Sequence, residues 1–94
     1  MAPPLPAIPD GATAPYETML AGQRAIKAFQ AQNMQYMHCL EARFGRLDRA
    51  DKAAATAEDR AQAEDAYHAA VSAEEEVVAS FNIELREYRA RQRD

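Results

Sequence analysis

Residues 16–47 read YETMLAGQRAIKAFQAQNMQYMHCLEARFGRL, a stretch without proline in which large apolar residues return every three or four positions. Because an α-helix turns once in about 3.6 residues, this spacing places the apolar side chains on one face. When Ile26 and Leu40 are assigned to position a of a heptad, Phe29 falls at position d and Asn33 is a polar residue on the same seam. The stretch therefore predicts a long amphipathic helix that packs against another helix.

A second stripe runs through the last third of the chain. Its members follow an unbroken spacing of four and three residues: Tyr67, Val71, Glu74, Val78, Phe81, Leu85 and Tyr88. The heptad phase of the first stripe does not continue into the second stripe. Residues 56–59 also resemble a capping box, so we predict that a new helix starts between the two stripes. We predict antiparallel helices at about residues 14–53 and 57–92. One long kinked helix is the alternative, because residues 48–56 contain neither Gly nor Pro.

All five prolines lie in the first fifteen residues, MAPPLPAIPDGATAP. Proline fixes φ and removes a backbone donor, so this segment is predicted to be extended. Asp10 and Gly11 are typical of a turn, and Thr13 is a good N-cap for a helix that starts at about residue 14. The predicted organisation is an extended arm at 1–13 and a two-helix hairpin at 14–94.

The apolar residues of the two stripes form the predicted core. They are Ile26, Phe29, Leu40, Phe44, Leu47, Tyr67, Val71, Val78, Phe81, Leu85 and Tyr88. Asn33, Tyr36 and Glu74 are predicted to form a polar layer that fixes the register of the helices. Two helices shield only one side of each other, so we expect two hairpins to pair into a four-helix bundle or coiled coil. The predicted fold class is all-α, as a homodimer.

Composition excludes several classes of function. The formal net charge of −4, from 11 Lys and Arg against 15 Asp and Glu, does not favour nucleic acid as a partner. No apolar run reaches the roughly 20 residues of a membrane span, and the N-terminus lacks the pattern of a signal peptide. No motif indicates a cofactor, and no catalytic constellation is recognisable, so an enzyme is not predicted. The arginines near the C-terminus are interpreted as a solvated helix end.

One short cluster could bind a soft metal ion. Met34, Met37 and His38 have the spacing that places them on one flank of a helix, and their thioether and imidazole groups suit copper(I) or silver(I). The alternative is that Met37 fills the edge of the core and His38 is solvated. Cys39 is the only cysteine, so it cannot form an internal disulfide. An intermolecular disulfide across a dimer and an inert thiol are the two alternatives for Cys39.

Several segments resemble a group of small, mostly uncharacterised helical proteins of bacteria that are predicted to be exported. The similar segments are IPDGATA at 8–14, the pattern M..GQ.AIKAF......Y..CLE at 19–41, and YHAAVSAEEEVVASFNIELREYRAR at 67–91. The resemblance implies a periplasmic setting, in which Met1 stands in for a removed signal peptide; a cytoplasmic setting is the alternative. It implies no established activity.

These observations predict a structural or protein-interaction module that acts as a homodimer. Two other functions remain open at this point. One is a small copper or silver binding protein that uses Met34, Met37 and His38. The other is an accessory protein that docks a larger, unknown protein partner through its proline-rich arm.

Overall fold

A computed structural model describes residues 1–49 and 54–92, and the side chains of residues 47–49 and 54–56 lie outside that description. Helix α1 spans Tyr16–Arg49 and helix α2 spans Ala54–Gln92, and the two pack against each other. The described residues contain no strand. The prediction of an all-α helical hairpin is therefore confirmed. The predicted helix end at 53 falls on residues outside the description, whereas α2 begins at Ala54 rather than at 57.

Helix α1 begins later than the predicted N-cap. The backbone amide of Thr18 and that of Met19 donate to the carbonyl of Pro15, at 3.0 and 3.1 Å, so Pro15 is the N-cap residue. Thr13 belongs instead to the preceding turn, in which its amide donates to the carbonyl of Asp10 at 3.1 Å. Asp10 also accepts a hydrogen bond from the Ala12 amide through Oδ1, at 2.9 Å. This turn directs the arm back along the hairpin.

The buried positions in α1 recur every seven residues. Met19, Ile26, Asn33 and Leu40 are all buried, and Phe29 lies between them on the same face. In α2 the buried residues Ala63, Ala70 and Val77 also recur every seven, with Phe81 beside them. Seven-residue repeats in both helices define a coiled-coil seam, which here runs along the length of the hairpin.

The core is concentrated at the end of the hairpin that carries the arm. Its buried members are Ala14, Met19, Ile26, Phe29, Val77 and Phe81, and Ile8, Ala73, Leu85 and Tyr88 pack against them in half-buried positions. Toward the turn, α2 contributes the small side chains of Ala63 and Ala70 to the seam. Phe44 and Tyr67 make an edge-to-face ring contact there, with centroids 6.3 Å apart. The arm is thus part of the best-packed region of the molecule.

Candidate interaction surface

The arm is held against one side of the hairpin by the fit of proline to glycine. Ile8 is half-buried against the core, and the Pro9 ring lies directly over Gly22 of α1. A Cβ atom on Gly22 would lie 2.7 Å from Cγ and 2.8 Å from Cδ of Pro9, which is too close for carbon atoms that are not bonded. Gly22 therefore leaves the space on α1 into which the Pro9 ring packs, and we call this contact, together with that of Gly11 on α2, the seat of the arm.

Gly11 makes the equivalent contact with α2. Its amide donates to Oε1 of Glu84 at 2.8 Å, and the residue is buried. A Cβ atom on Gly11 would collide with the backbone carbonyl of Glu84. The close approach of two backbones is the physical reason that this position requires glycine. Pro9 thus holds the arm against α1, and Gly11 holds it against α2, on the same side of the hairpin.

Arg91 of α2 holds the C-terminal end of the arm by hydrogen bonds. Its guanidinium donates through Nη1 to the carbonyl of Gly11 at 3.1 Å and through Nη2 to the carbonyl of Ala14 at 2.7 Å. The same group lies 5.1 Å from the centroid of the Tyr88 ring, within the range of a cation–π contact. Arg91 is half-buried, so the interpretation of the C-terminal arginines as a solvated end is wrong for this residue.

Three carboxylates meet beside the arm. One oxygen from each of Asp10, Glu84 and Glu87 lies within 4.8 Å of the others. Asp10 and Glu87 are exposed, Glu84 is half-buried, and one oxygen of Glu84 already accepts the Gly11 amide. Exposed acidic groups often lie this close together without a metal ion, so the cluster does not by itself identify a metal site.

The predicted soft-metal residues lie at different depths. Met34 is 54% exposed, Met37 is half-buried, and His38 is exposed. Cys39 is a free, exposed cysteine. Because successive residues are about 100° apart around a helix, Cys39 lies nearly opposite Met37. Metal binding by Met34, Met37 and His38 stays a prediction.

The residues of the predicted polar layer differ in burial and in hydrogen bonding. Asn33 is 1% exposed, and its Nδ2 donates to the backbone carbonyl of Ala70 at 2.9 Å. Tyr36 and Glu74 are both half-buried, and Glu74 lines a surface groove together with Gln30. The described side-chain bond of Asn33 thus joins it to the α2 backbone at Ala70, four residues before Glu74.

The predicted core residues also differ in depth. Ile26, Phe29, Leu40 and Phe81 are buried; Phe44, Tyr67, Val71, Val78, Leu85 and Tyr88 are half-buried; and the side chain of Leu47 lies outside the described part. Ala70 and Val77 are buried, and each is followed directly by a half-buried valine, Val71 and Val78. The large apolar stripe of α2 is therefore displaced to one side of the face that packs against α1.

This displacement leaves an apolar surface on the side of the hairpin away from the arm. The arm side is formed by Thr18, Ala21, Gly22 and Ala25 of α1 and by Ser80, Glu84 and Glu87 of α2. The other side is formed by Tyr16, Leu20, Gln23 and Gln30 of α1 and by Glu74, Val78, Asn82, Leu85, Tyr88 and Arg89 of α2. We call this second side the open face.

Two grooves follow one another along the open face. The end groove has a volume of about 270 Å³ and is lined mainly by apolar and aromatic side chains, including Leu20, Leu85 and Tyr88, together with Arg89. The middle groove has a volume of about 470 Å³ and is lined by Val78 and the side chain of Glu74, among others. Met34 is four residues from Gln30 and so continues the same face toward the turn.

Tyr67 and Glu41 join the helices near the turn. The Tyr67 hydroxyl donates to Oε1 of Glu41 at 3.2 Å. This hydrogen bond, the negative charge of Glu41 and partial desolvation raise the pKa of Tyr67 above its ordinary value of 10.0. The bond is exposed to solvent, so it orients the two side chains and adds little to stability.

Sequence reasoning missed the arm junction. The contacts of Gly11 and Arg91 join residues 73 to 80 positions apart. The contact of Gly22 with Pro9 depends on the path of the arm, so no local pattern encodes either. The available signal was the coincidence of Pro9 and Gly11 in the segment IPDGATA, which specified a turn but not its seat.

Comparison of this chain with protein-family models, with curated proteins and with solved structures gives no significant match. Over the residues described, neither helix includes a stretch that is long and apolar enough to cross a membrane. The fold and the surface define the class of the molecule as a two-helix hairpin with an N-terminal arm bound on one side and an apolar face on the other.

Proposed function

We propose that this chain is a structural or protein-interaction module, without enzymatic activity, that self-associates through its open face. The observation that carries the proposal is that the arm covers one side of the hairpin and not the other. The arm covers one side with Ile8 and Pro9, whereas Leu20, Val78 and Leu85 on the other side are only half-buried and line open grooves. A second apolar helical face would remove these side chains from water.

Helix pairs that bury such a face commonly do so as four-helix bundles. The open face is formed by both helices, so a second hairpin packed on it contributes two helices to the same core. Tyr16, which is 64% exposed, and Tyr88 add aromatic surface of the kind that is enriched in protein interfaces. These features support a homodimer over the binding of a small molecule, because both grooves of the open face are open to solvent along the hairpin rather than enclosed.

The mass of the chain in solution tests this proposal. We expect the mass of two 10.4 kDa chains at micromolar concentration, measured by light scattering after size exclusion. Val78→Glu introduces a charge into the open face and should give a monomer. Ile83→Glu is the matched control, because Ile83 is 49% exposed and, five residues from Val78, lies on another side of α2. A monomeric native chain, or equal effects of the two variants, would contradict the proposal.

The arm offers less free surface for a partner than its composition indicated. Ile8, Pro9, Gly11 and Ala14 contact the hairpin, and the exposed large side chains of the arm are Met1 and Leu5. Docking of a larger protein through the arm would therefore involve residues 1–7. Deleting residues 1–7 is expected to leave the mass in solution unchanged, since these residues are not part of the open face.

We also propose a periplasmic setting for this module. The support is the resemblance of residues 8–14, 19–41 and 67–91 to exported bacterial proteins. Fractionation of the native host cells, followed by detection with an antibody to the chain, tests the setting. Recovery in the periplasmic extract is expected, and recovery with a cytoplasmic marker would contradict it.

A further inference from the structure

The two grooves of the open face carry opposite charges. Arg89 lines the end groove, and Glu74 and Glu75 line the middle groove. Arg89 and Glu74 are fifteen residues apart in α2, which is about 22 Å along the helix at 1.5 Å per residue. The open face is therefore positive toward the end that carries the arm and negative toward the middle, with apolar side chains between.

Two symmetric arrangements can bury the same face of two hairpins. If the hairpins run parallel, each groove lies across from its own copy, so Glu74 approaches the partner's Glu74 and the Arg89 ends come together. If the hairpins run antiparallel, about an axis that crosses α2 near Phe81 and Asn82, the end groove of one chain faces the middle groove of the other. Leu85 then lies against the partner's Val78. Like charges are separated only in the antiparallel arrangement, and opposite charges meet.

We propose that the open face docks a second copy of this chain in antiparallel orientation, with Arg89 of each hairpin against Glu74 and Glu75 of its partner. The apolar residues between the two charged positions supply most of the buried surface, and the charges select the orientation. This inference rests on the proposed homodimer and adds the register of its two chains. Two copies of the charged contact are formed in each dimer because the interface is symmetric.

Charge reversal and its repair test the orientation. Arg89→Glu alone and Glu74→Arg alone should each weaken the dimer at least about fivefold, because each introduces two repulsive contacts per dimer. The chain that carries both substitutions should bind at least about threefold more tightly than either single variant, since the contact between positions 74 and 89 is restored with its polarity reversed while Glu75 faces the new Glu at position 89. The measurement is sedimentation equilibrium at low salt, where surface charges are least screened.

Two variants control for the change in net charge. Glu76→Arg matches Glu74→Arg, because Glu76 is exposed and two residues further on it lies on nearly the opposite side of α2. Arg46→Glu matches Arg89→Glu, because Arg46 is exposed on α1, two residues from half-buried Phe44. Both controls should leave the dissociation constant within about twofold of the native value.

The outcomes separate this inference from the proposed function. A dimer that Arg89→Glu weakens and that the double variant restores supports the antiparallel register. A dimer that neither single variant weakens, or that the double variant does not restore, overturns the register and leaves self-association intact. A native chain that is monomeric overturns both.

Discussion

At the scale of single residues, Asn33 is the buried polar link between the two helices. Its side chain is 1% exposed and lies at the same seven-residue spacing as the apolar residues Ile26 and Leu40. A buried amide is expensive unless it is hydrogen-bonded, and here Nδ2 donates to the carbonyl of Ala70 at 2.9 Å. Small Ala70 lets the side chain reach the α2 backbone. We therefore expect this one hydrogen bond to set the register of the two helices along their length.

Replacement of Asn33 tests this role. We expect Asn33→Ala to lower the free energy of unfolding by about 1–3 kcal/mol, through the lost hydrogen bond and the space it leaves. Asn33→Leu should cost less, because it restores the volume with an apolar group. The measurement is urea unfolding followed by circular dichroism. The neighbouring Gln32→Ala, at an exposed position, should change stability by less than about 0.5 kcal/mol; an equal loss in Gln32→Ala would contradict the assignment.

Tyr67 supplies a test that depends on pH. Glu41 raises the pKa of Tyr67, first by accepting its hydrogen bond and then by its charge, so the fold favours the neutral phenol. The contact therefore contributes its stabilisation below the ordinary pKa of 10.0 and loses it as the pH rises through the raised value. Glu41→Gln should lower the pKa of Tyr67 toward 10.0, measured by NMR titration of the Tyr67 ring. Glu17→Gln, at the other end of α1, should leave that titration unchanged; a shift there of equal size would argue against a local cause.

At the scale of the elements, the sequence predicted α1 better than α2. The seam of α1 consists largely of big apolar residues, so its spacing identifies the buried face. The seam of α2 includes Ala63 and Ala70, and alanine is too common in this helix to mark a face. The large residues of α2, such as Val78, lie on the open face, and the spacing of the stripe followed them. A pattern of large apolar residues marks all the apolar surfaces of a helix. It does not distinguish the surface that is buried within one chain from the surface that stays exposed.

The sequence predicts that the arm is extended, but it does not predict that the arm packs against the hairpin. Its prolines specify extended backbone, and Asp10 with Gly11 specifies a turn. The seat depends on Gly22 and Glu84, which the arm meets only after the helices have formed. Contacts between residues so far apart leave no local spacing in the sequence. The arm junction is therefore a property of the folded hairpin.

Gly11→Ala tests whether the arm stabilises the hairpin. The added Cβ would collide with the Glu84 carbonyl, so the arm must leave its seat or the helix must shift. We expect a loss of roughly 1–3 kcal/mol in the free energy of unfolding, as for other substitutions that overpack a closely fitted contact. The arm should also become sensitive to proteolysis near residue 9. Ala12→Gly, at the exposed neighbouring position, is the control and should retain the protected arm.

At the scale of the whole molecule, the hairpin is long and narrow, with extents of 64 by 16 by 15 Å. A structure one helix pair thick has no interior beyond its seam, so most of its large side chains are at most half-buried. The arm extends the core at one end only. Association of the open faces, as proposed above, would bury Val78 and Leu85, so the oligomeric state bears directly on the packing of α2.

The position of cysteines tests how two such molecules meet. In the proposed dimer Cys39 lies on the side of α1 away from the open face, because it is five residues, or about 140° around the helix, from Met34. We therefore expect the native chain to remain a single band on a non-reducing gel after mild oxidation at low micromolar concentration. In a Cys39→Ser chain, Asn82→Cys should form a covalent dimer, since Asn82 lines the middle groove beside the proposed axis. Ile83→Cys, one residue on and directed elsewhere, is the matched control and should not. A covalent dimer through Cys39, or through residue 83 in preference to 82, would place the interface on another side of the hairpin.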